Sequence, residues 1–372
     1  MTASEPMRRA FELAARGKGR VSPNPLVGAV VVRDGRIVGE GWHAEVGSPH
    51  AEVVALEAAG EAARGATLYV TLEPCRHHGR TPPCTEAIVA AGVGRVVYAA
   101  SDPHPRAAGG AETLRGAGIE VVHAEADVSG VAVEQNAAFL WSATVSRPFV
   151  VLKLAQSIDG MIAAAPGERT DLTGGPAREL VQELRAEADA VLVGRGTVSA
   201  DDPRLTARGA LRPRVPPLRV VLDTAAKLST DSALVTTMDE APVLVFVAGS
   251  APRSRLAELR AAGVEICVVP RAGAGLLDPA AVLDELHERG VRSVLVEGGA
   301  RIAASFLEAG LVERFHQFVA PKVIGTGGVP AFAELSPAVG AAWTLARSER
   351  VGDDAHLVWE RKSAFERLRV GA

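Results

Sequence analysis

A chain of 372 residues, 48% hydrophobic and 23% charged, is long enough for two or three domains, each with a core of its own. A formal net charge of −4 argues against a long nucleic acid as the main partner. Three cysteines and no secretory leader argue against a disulfide framework, and no run approaches about 18 apolar residues, so a cytoplasmic protein with no membrane partner is expected.

Helix and strand signals alternate along the chain, which predicts an α/β protein. Residues 7–16 place Met7, Ala10, Phe11 and Ala14 on one side of a helix. After Pro23 and Pro25, the apolar runs Val27–Val32 and Ile37–Trp42 flank Arg33-Asp34-Gly35, a hairpin signal. A helix over 50–63, a strand Leu68–Leu72, a helix over 83–91 and a strand Arg95–Ala100 follow. Next come a helix over 111–117, a strand Glu120–His123 and one helix over 127–141. Ser146-Arg147-Pro148 is the expected boundary, giving domains 1–146 and 147–372. Beyond it the pattern restarts. Strands are expected at Val150–Ala155, Ala190–Val193, Arg219–Leu222, Val243–Val247, Val264–Val269 and Ser293–Val296. Helices are expected over 176–187, 253–262, 279–289 and 301–309, and residues 207–217 read as a surface loop.

The first domain carries the clearest chemistry. His50-Ala51-Glu52 is followed by Pro74-Cys75 and then by Cys84. One imidazole and two thiolates suit zinc, and three protein ligands leave a fourth position open for water. Glu52, two residues after His50 at a helix start, is placed to move protons beside the metal without ligating it. This set matches the signature of zinc nucleobase deaminases, in which such a glutamate is the general acid and base. The departure is spacing: the cysteines stand nine positions apart instead of three, with the polar, proline-bound insert 76–83 between them. Cys267 lies in an apolar run and reads as core; His104 and His123 read as structural or exposed.

Thr71-Leu72-Glu73-Pro74-Cys75 with His77-His78-Gly79-Arg80-Thr81-Pro82-Pro83-Cys84, and Pro23-Asn24-Pro25 before Val27-Gly28, closely resemble the bifunctional deaminase–reductase of riboflavin biosynthesis. The resemblance covers nearly the whole chain. It implies an N-terminal cytidine-deaminase-like three-layer α/β/α domain and a C-terminal dihydrofolate-reductase-like α/β domain. It also implies one zinc ion per chain and NADPH. The first domain would deaminate 2,5-diamino-6-ribosylamino-4(3H)-pyrimidinone 5′-phosphate, and the second would reduce the ribose to a ribityl chain. Asn24, His43, His77 and Arg80 match positions that contact the deaminase substrate. Asn24 offers a ring edge both a donor and an acceptor, and Arg80 offers a fork to phosphate.

In the second half the matching segments are Lys153-Leu154-Ala155, Gly194-Arg195-Gly196-Thr197-Val198, Asp201 to Arg208, Glu297-Gly298-Gly299-Ala300 and Pro321 to Gly325. By resemblance, Arg185 and Arg208 would hold the substrate phosphate, and Lys153 and Glu297 its other polar groups, with Arg169 and Leu205 in the same site. Ala155, Asp171, Thr197, Asp201 and Thr224 would line the NADPH site. So would the run Gly298, Gly299, Ala300, Arg301, Ile302, Ala303, Ala304 and Ser305, whose glycines let backbone N–H groups approach a phosphate. One stretch departs from the family: Arg169 replaces a Ser and Asp171 a Trp, so an aromatic surface is lost and a negative charge stands near a phosphate-bearing cofactor unless Arg169 pairs with it. A small phosphorylated pyrimidine is the implied partner, in a homodimer or homotetramer. The alternatives are a paralogue with an altered or lost reductase, a nucleic-acid editing enzyme and a structural zinc module.

Overall fold

The computed structural model describes residues 5–78, 82–104, 107–332, 335 and 343–370. Their contacts divide the chain into one unit running through Val145, which also holds the chain from Glu366, and a second, Ser146–Phe365.

The first unit runs α1 (Glu5–Ala15), β1 (Gly28–Arg33), β2 (Arg36–Trp42), α2 (Ala51–Ala59), β3 (Thr67–Val70), α3 (Cys84–Ala91), β4 (Arg95–Tyr98), α4 (Gly110–Gly116), β5 (Glu120–His123), α5 (Ala126–Gln135) and α6 (Ala137–Thr144). Its sheet has the order β2-β1-β3-β4-β5. Strand β1 is antiparallel to β2 and β3, and β3, β4 and β5 are parallel. The expected hairpin turns on Asp34 and Gly35, both at positive φ, as a two-residue turn with the twist of its strands requires. Gly28 lies against Ala10 of α1, whereas Gly41, paired with Ala29, lies against Ala51 of α2. Successive residues of β1 point to opposite faces, so α1 and α2 cover opposite faces in a three-layer α/β/α unit. That explains why Ala29, Val30 and Val31 are all fully buried.

Two expectations change here. The helix over 50–63 ends at Ala59, where Gly60 takes a φ of 52° and a short 3₁₀ turn follows. The single helix over 127–141 is two, because buried Asn136 leaves helical geometry. Its side chain accepts from Leu26 N at 2.8 Å and donates to Leu26 O at 2.9 Å, holding the Pro23–Pro25 loop.

The second unit begins β6 (Phe149–Ser157), β7 (Met161–Ala163), α7 (Gly175–Glu187), β8 (Ala190–Gly194), α8 (Arg195–Asp201), β9 (Leu218–Leu222), α9 (Ala233–Thr236), β10 (Val243–Ala248) and α10 (Arg253–Ala261). It continues with β11 (Glu265–Val269), α11 (Pro279–Glu288), β12 (Ser293–Val296), α12 (Ala300–Glu308), β13 (Arg314–Ala320), β14 (Val329–Pro330), β15 (Trp343–Val351) and β16 (Asp354–Arg361). Helix α13 (Lys362–Val370) ends the described chain. The nine-stranded sheet has the order β11-β10-β9-β8-β12-β6-β13-β16-β15, with β7 and β14 forming a separate ribbon. The strands from β11 to β13 are parallel; β16 and β15 are antiparallel. Strands β13, β15 and β16 were not anticipated. On β16 the buried positions are Asp354, His356, Val358 and Glu360, so the usual apolar-in alternation is inverted, and β15 is an exposed edge strand.

Candidate active sites

In the first unit His50 immediately precedes α2, Glu52 is its second residue, Cys75 follows β3 and Cys84 opens α3. Helix α2 can seat so close to the sheet only because β2 offers glycine: a Cβ on Gly41 would lie 2.4 Å from Ala51 O. His50 Nδ1 lies 3.1 Å from Cys84 Sγ and 3.5 Å from Cys75 Sγ, and all three ligand atoms fall within 4.8 Å of one another. Tetrahedral zinc bonds of 2.0–2.3 Å set ligand atoms about 3.5 Å apart, so this donor set fits the metal. The 76–83 insert leaves both cysteines on the same point; Cys84 N even donates to Cys75 Sγ at 3.5 Å.

Electrostatics agree with that geometry. A hydrogen bond from Cys84, helped by His50 and opposed by burial, pulls the Cys75 thiol down, while the same sharing and burial push Cys84 up. Burial pushes Glu52 up to about 7 against the pull of His50. His50, Cys75 and Glu52 border a cavity of about 230 Å³ that Asn24, His43 and His77 also line; Cys84 is fully buried and does not line it. His43 Nδ1 faces Pro49 O at 3.2 Å, which leaves Nε2 to accept from Asn24 Nδ2 at 3.1 Å. Burial lowers the His43 pKa, consistent with a neutral ring. His77 Nδ1 is buried with no hydrogen-bond partner. Arg80 lies outside the described residues.

Sequence reasoning missed Asp102 and the role of Glu73. Buried Glu73 accepts from Ala111 N at 2.9 Å and Asp102 N at 3.3 Å, pinning the loop that carries Asp102 into the cavity wall. Only the position of Glu73 within the Thr71–Cys75 motif hinted at this. His104, exposed as expected, also lines the cavity.

The second unit holds a cavity of about 1200 Å³ at the carboxyl ends of β6, β8, β9 and β12, where ligands bind in open α/β sheets. Lys153, Ala155, Arg169, Asp171, Arg185, Thr197, Asp201, Arg208, Thr224 and the run Glu297 to Ile302 all line it. Four of the expected residues do not. Leu205 is buried in the apolar core at a φ of 55°, Ala303 and Ala304 are buried in the body of α12, and Ser305 Oγ turns back to Ile302 O.

Arg185 is engaged differently from expectation. Its Nε and Nη2 donate to the two oxygens of Glu297 at 2.5 and 2.8 Å, with both side chains largely buried. Burial alone would push Glu297 up, but Arg185 and Lys153 hold it below the usual carboxylate range. Lys153 is lowered by burial, with Glu297 opposing. Arg169 does pair with Asp171, at 3.0 Å, so the charge that replaces the family's Trp is compensated locally. Arg178, Arg195 and Lys227 also line the cavity; isolated basic residues on helices and loops carry no sequence signal.

A family model described as the RibD C-terminal domain matches residues 148–357. A second, described as the cytidine and deoxycytidylate deaminase zinc-binding region, matches residues 1–100. The riboflavin biosynthesis protein RibD of Aquifex aeolicus is 44% identical over 326 residues, covering 86% of this chain and 87% of that protein. That of Escherichia coli is 42% identical over 332 residues, covering 86% and 88%. Among solved structures, Acinetobacter baumannii RibD superposes with a TM-score of 0.81 at 37% identity, covering 96% of this chain and 98% of that one. A Thermotoga maritima diaminohydroxyphosphoribosylaminopyrimidine deaminase/5-amino-6-(5-phosphoribosylamino)uracil reductase gives a TM-score of 0.81 at 36% identity, covering 96% and 97%.

Proposed function

The chain belongs to the RibD family of riboflavin biosynthesis, and from that premise we propose which of its residues perform the two reactions. It is a bifunctional enzyme: a zinc-dependent hydrolytic deaminase of the diaminopyrimidinone ribosylamino 5′-phosphate, and an NADPH-dependent reductase that converts the ribose to a ribityl chain. Relatives matching along both units do not favour the alternative of a paralogue with an altered or lost reductase.

His50, Cys75 and Cys84 hold the zinc, which when bound supplies Lewis-acid activation of a water at its open position. Glu52 takes a proton from the attacking water and returns one to the departing amine, so that ammonia leaves as the ring carbon becomes a carbonyl. Neutral His43, Asn24, His77 and Arg80 bind and orient the substrate. The observation that carries this assignment is the convergence of three ligand atoms beside a cavity that His50, Cys75 and the buried Glu52 line.

In the reductase, NADPH when bound supplies the hydride. The Arg185–Glu297 fork is the fixed wall of the site, Lys153 presents its ammonium to the substrate beside Glu297, and Arg208, exposed on the cavity wall, takes the phosphate. Ala155, Asp171, Thr197, Asp201, Thr224 and the turn Gly298 to Ile302 line the dinucleotide. The functional domains are 1–146 and 147–372, in a cytoplasmic homodimer or homotetramer that binds neither nucleic acid nor membrane. The negative net charge supports the absence of a nucleic-acid partner, and among the described residues no helix is long and apolar enough to cross a membrane. The test is to supply the phosphorylated diaminopyrimidinone to zinc-loaded protein and follow NADPH oxidation with product mass. Deaminated and reduced product is expected; deaminated product with no NADPH consumed would remove the reductase assignment alone.

A further inference from the structure

On the α7 side of the second sheet, a ladder of ionisable side chains runs from an edge strand to the reductase cavity. His316 on β13 is the register partner of Lys153 on β6, Phe318 is the partner of both Ala155 and His356, and Glu349 on β15 is the partner of His356. His356 is 1% exposed, and its Nδ1 lies 2.8 Å from Glu349 Oε1. A carboxylate only accepts, so His356 Nδ1 donates and its Nε2 accepts from His316 Nδ1 at 3.0 Å. The two imidazoles stack, Phe318 stacks on His356 at 4.5 Å, and Lys153 Nζ lies 5.9 Å from the Phe318 ring centre. The outer end reaches water, since the Glu349 side chain is 41% exposed, and the inner end lines the cavity as Lys153. Such a row costs desolvation and adds nothing to an apolar core, so its persistence asks for a use.

The reduction consumes a proton. As the ring-opened sugar imine is reduced, hydride bonds to C1′, the C=N pair moves to nitrogen and that nitrogen takes one proton, while NADPH becomes NADP⁺. We propose that Glu349, His356 and His316 form a conduit that returns this proton from solvent to Lys153, the group that delivers it; each inward transfer leaves both imidazoles donating outward, as they stand here, and tautomer exchange of the two rings resets the row. This rests on Lys153 facing the reductase substrate. His316 and Lys153 stand on adjacent strands, about 4.8 Å apart at the backbone, and imidazole relays a proton through its two nitrogens. The other charged groups near the ladder are Arg347 beside His356, and Arg185, Glu297 and Asp201 around Lys153; from α7 the side chains against Phe318 are apolar Ala177 and Val181.

The test uses the full-length, zinc-loaded protein with His356→Gln, Glu349→Gln and Lys153→Met, reading reductase kcat against pH with NADPH, the KM for NADPH and the deaminase rate. His356→Gln should lower reductase kcat about 10-fold at pH values above neutral, less than the roughly 10²- to 10⁴-fold cost of losing the proton-delivering group itself. The pH profile should change shape, KM and deamination should stay unchanged, and added imidazole should restore the rate. Glu349→Gln, at a half-exposed site, should show the same shift in milder form and decides the matter if the His356 variant does not fold. Unchanged profiles, or a loss equal at every pH, overturn the conduit. Lys153→Met separates the premise: if it still reduces substrate, the assignment of Lys153 fails; if it is inactive while Glu349→Gln behaves as wild type, only the conduit fails.

Discussion

Glu52 is buried beside the three atoms proposed to hold the metal, and burial raises its pKa above the ordinary carboxylate value. Glu52→Gln keeps the shape and removes the shuttle. Deaminase kcat should fall by about 10²- to 10⁴-fold, while zinc content, read by metal analysis, stays at one per chain. Arg185 carries the opposite kind of load. It neutralises Glu297 inside the second cavity, so Arg185→Met would leave a largely buried carboxylate without its partner. Losing one half of a buried pair costs about 3–5 kcal/mol, and denaturant unfolding of the second unit should show a loss of that order together with loss of reduction. A role for Arg185 as a mere phosphate ligand predicts lost affinity with stability intact, and that outcome would sink the present reading.

Between residue and fold, the close approaches decide. Gly110 opens α4 against the loop that precedes Cys75, where a Cβ would stand 1.8 Å from Pro74 O; Gly116 at the other end of the same helix has nothing within 4 Å. Gly110→Ala must displace the Pro74–Cys75 loop, and a chelator competition should show weakened zinc binding. Gly116→Ala should leave zinc untouched and be neutral or stabilising by up to about 1 kcal/mol. The loop after β13 depends on Asp159, whose carboxylate accepts from Ser157 Oγ, Gly325 N and Ile324 N. These bonds hold Asp159 at about 2, below its usual 3.8. A depressed folded pKa gives stability that is present above 3.8 and lost as pH falls toward about 2. Protection of the Ile324 and Gly325 amides, taken relative to their intrinsic exchange rates at each pH, should fall across that window in the wild type and show no such step in Asp159→Asn. Most elements through α12 were legible because apolar period marks them, and the zinc set was legible because its members come in order within 35 residues of sequence. What was hidden is what sequence distance hides: the Arg185–Glu297 fork joins residues 112 apart, and the Asn136 clamp on Leu26 joins residues 110 apart. Strand β16 was hidden for another reason, since its buried face is Asp354, His356 and Glu360 and reads as solvent-facing.

At the scale of the whole chain, the two cavities are built from separate contact units and share no lining residue. The metal's ligands all come from the first unit, and each of the groups assigned to hydride transfer comes from the second. Removing the metal is therefore a local operation. Chelator treatment should abolish deamination of the diaminopyrimidinone, because a water without Lewis-acid activation is a poor nucleophile near neutral pH. The same sample should still bind NADPH and reduce substrate that has been deaminated beforehand. The two buried thiols and half-buried His50 left behind lie close together, and the apo protein loses the stabilisation that ligand binding confers by mass action. Its unfolding should then show the first unit melting at lower temperature while the second keeps its midpoint. Measuring both rates and both transitions on one chelated sample distinguishes this from a structural zinc that supports the entire molecule. In that case reduction and the second transition would fall together with deamination, and re-addition of zinc would restore all of them at once.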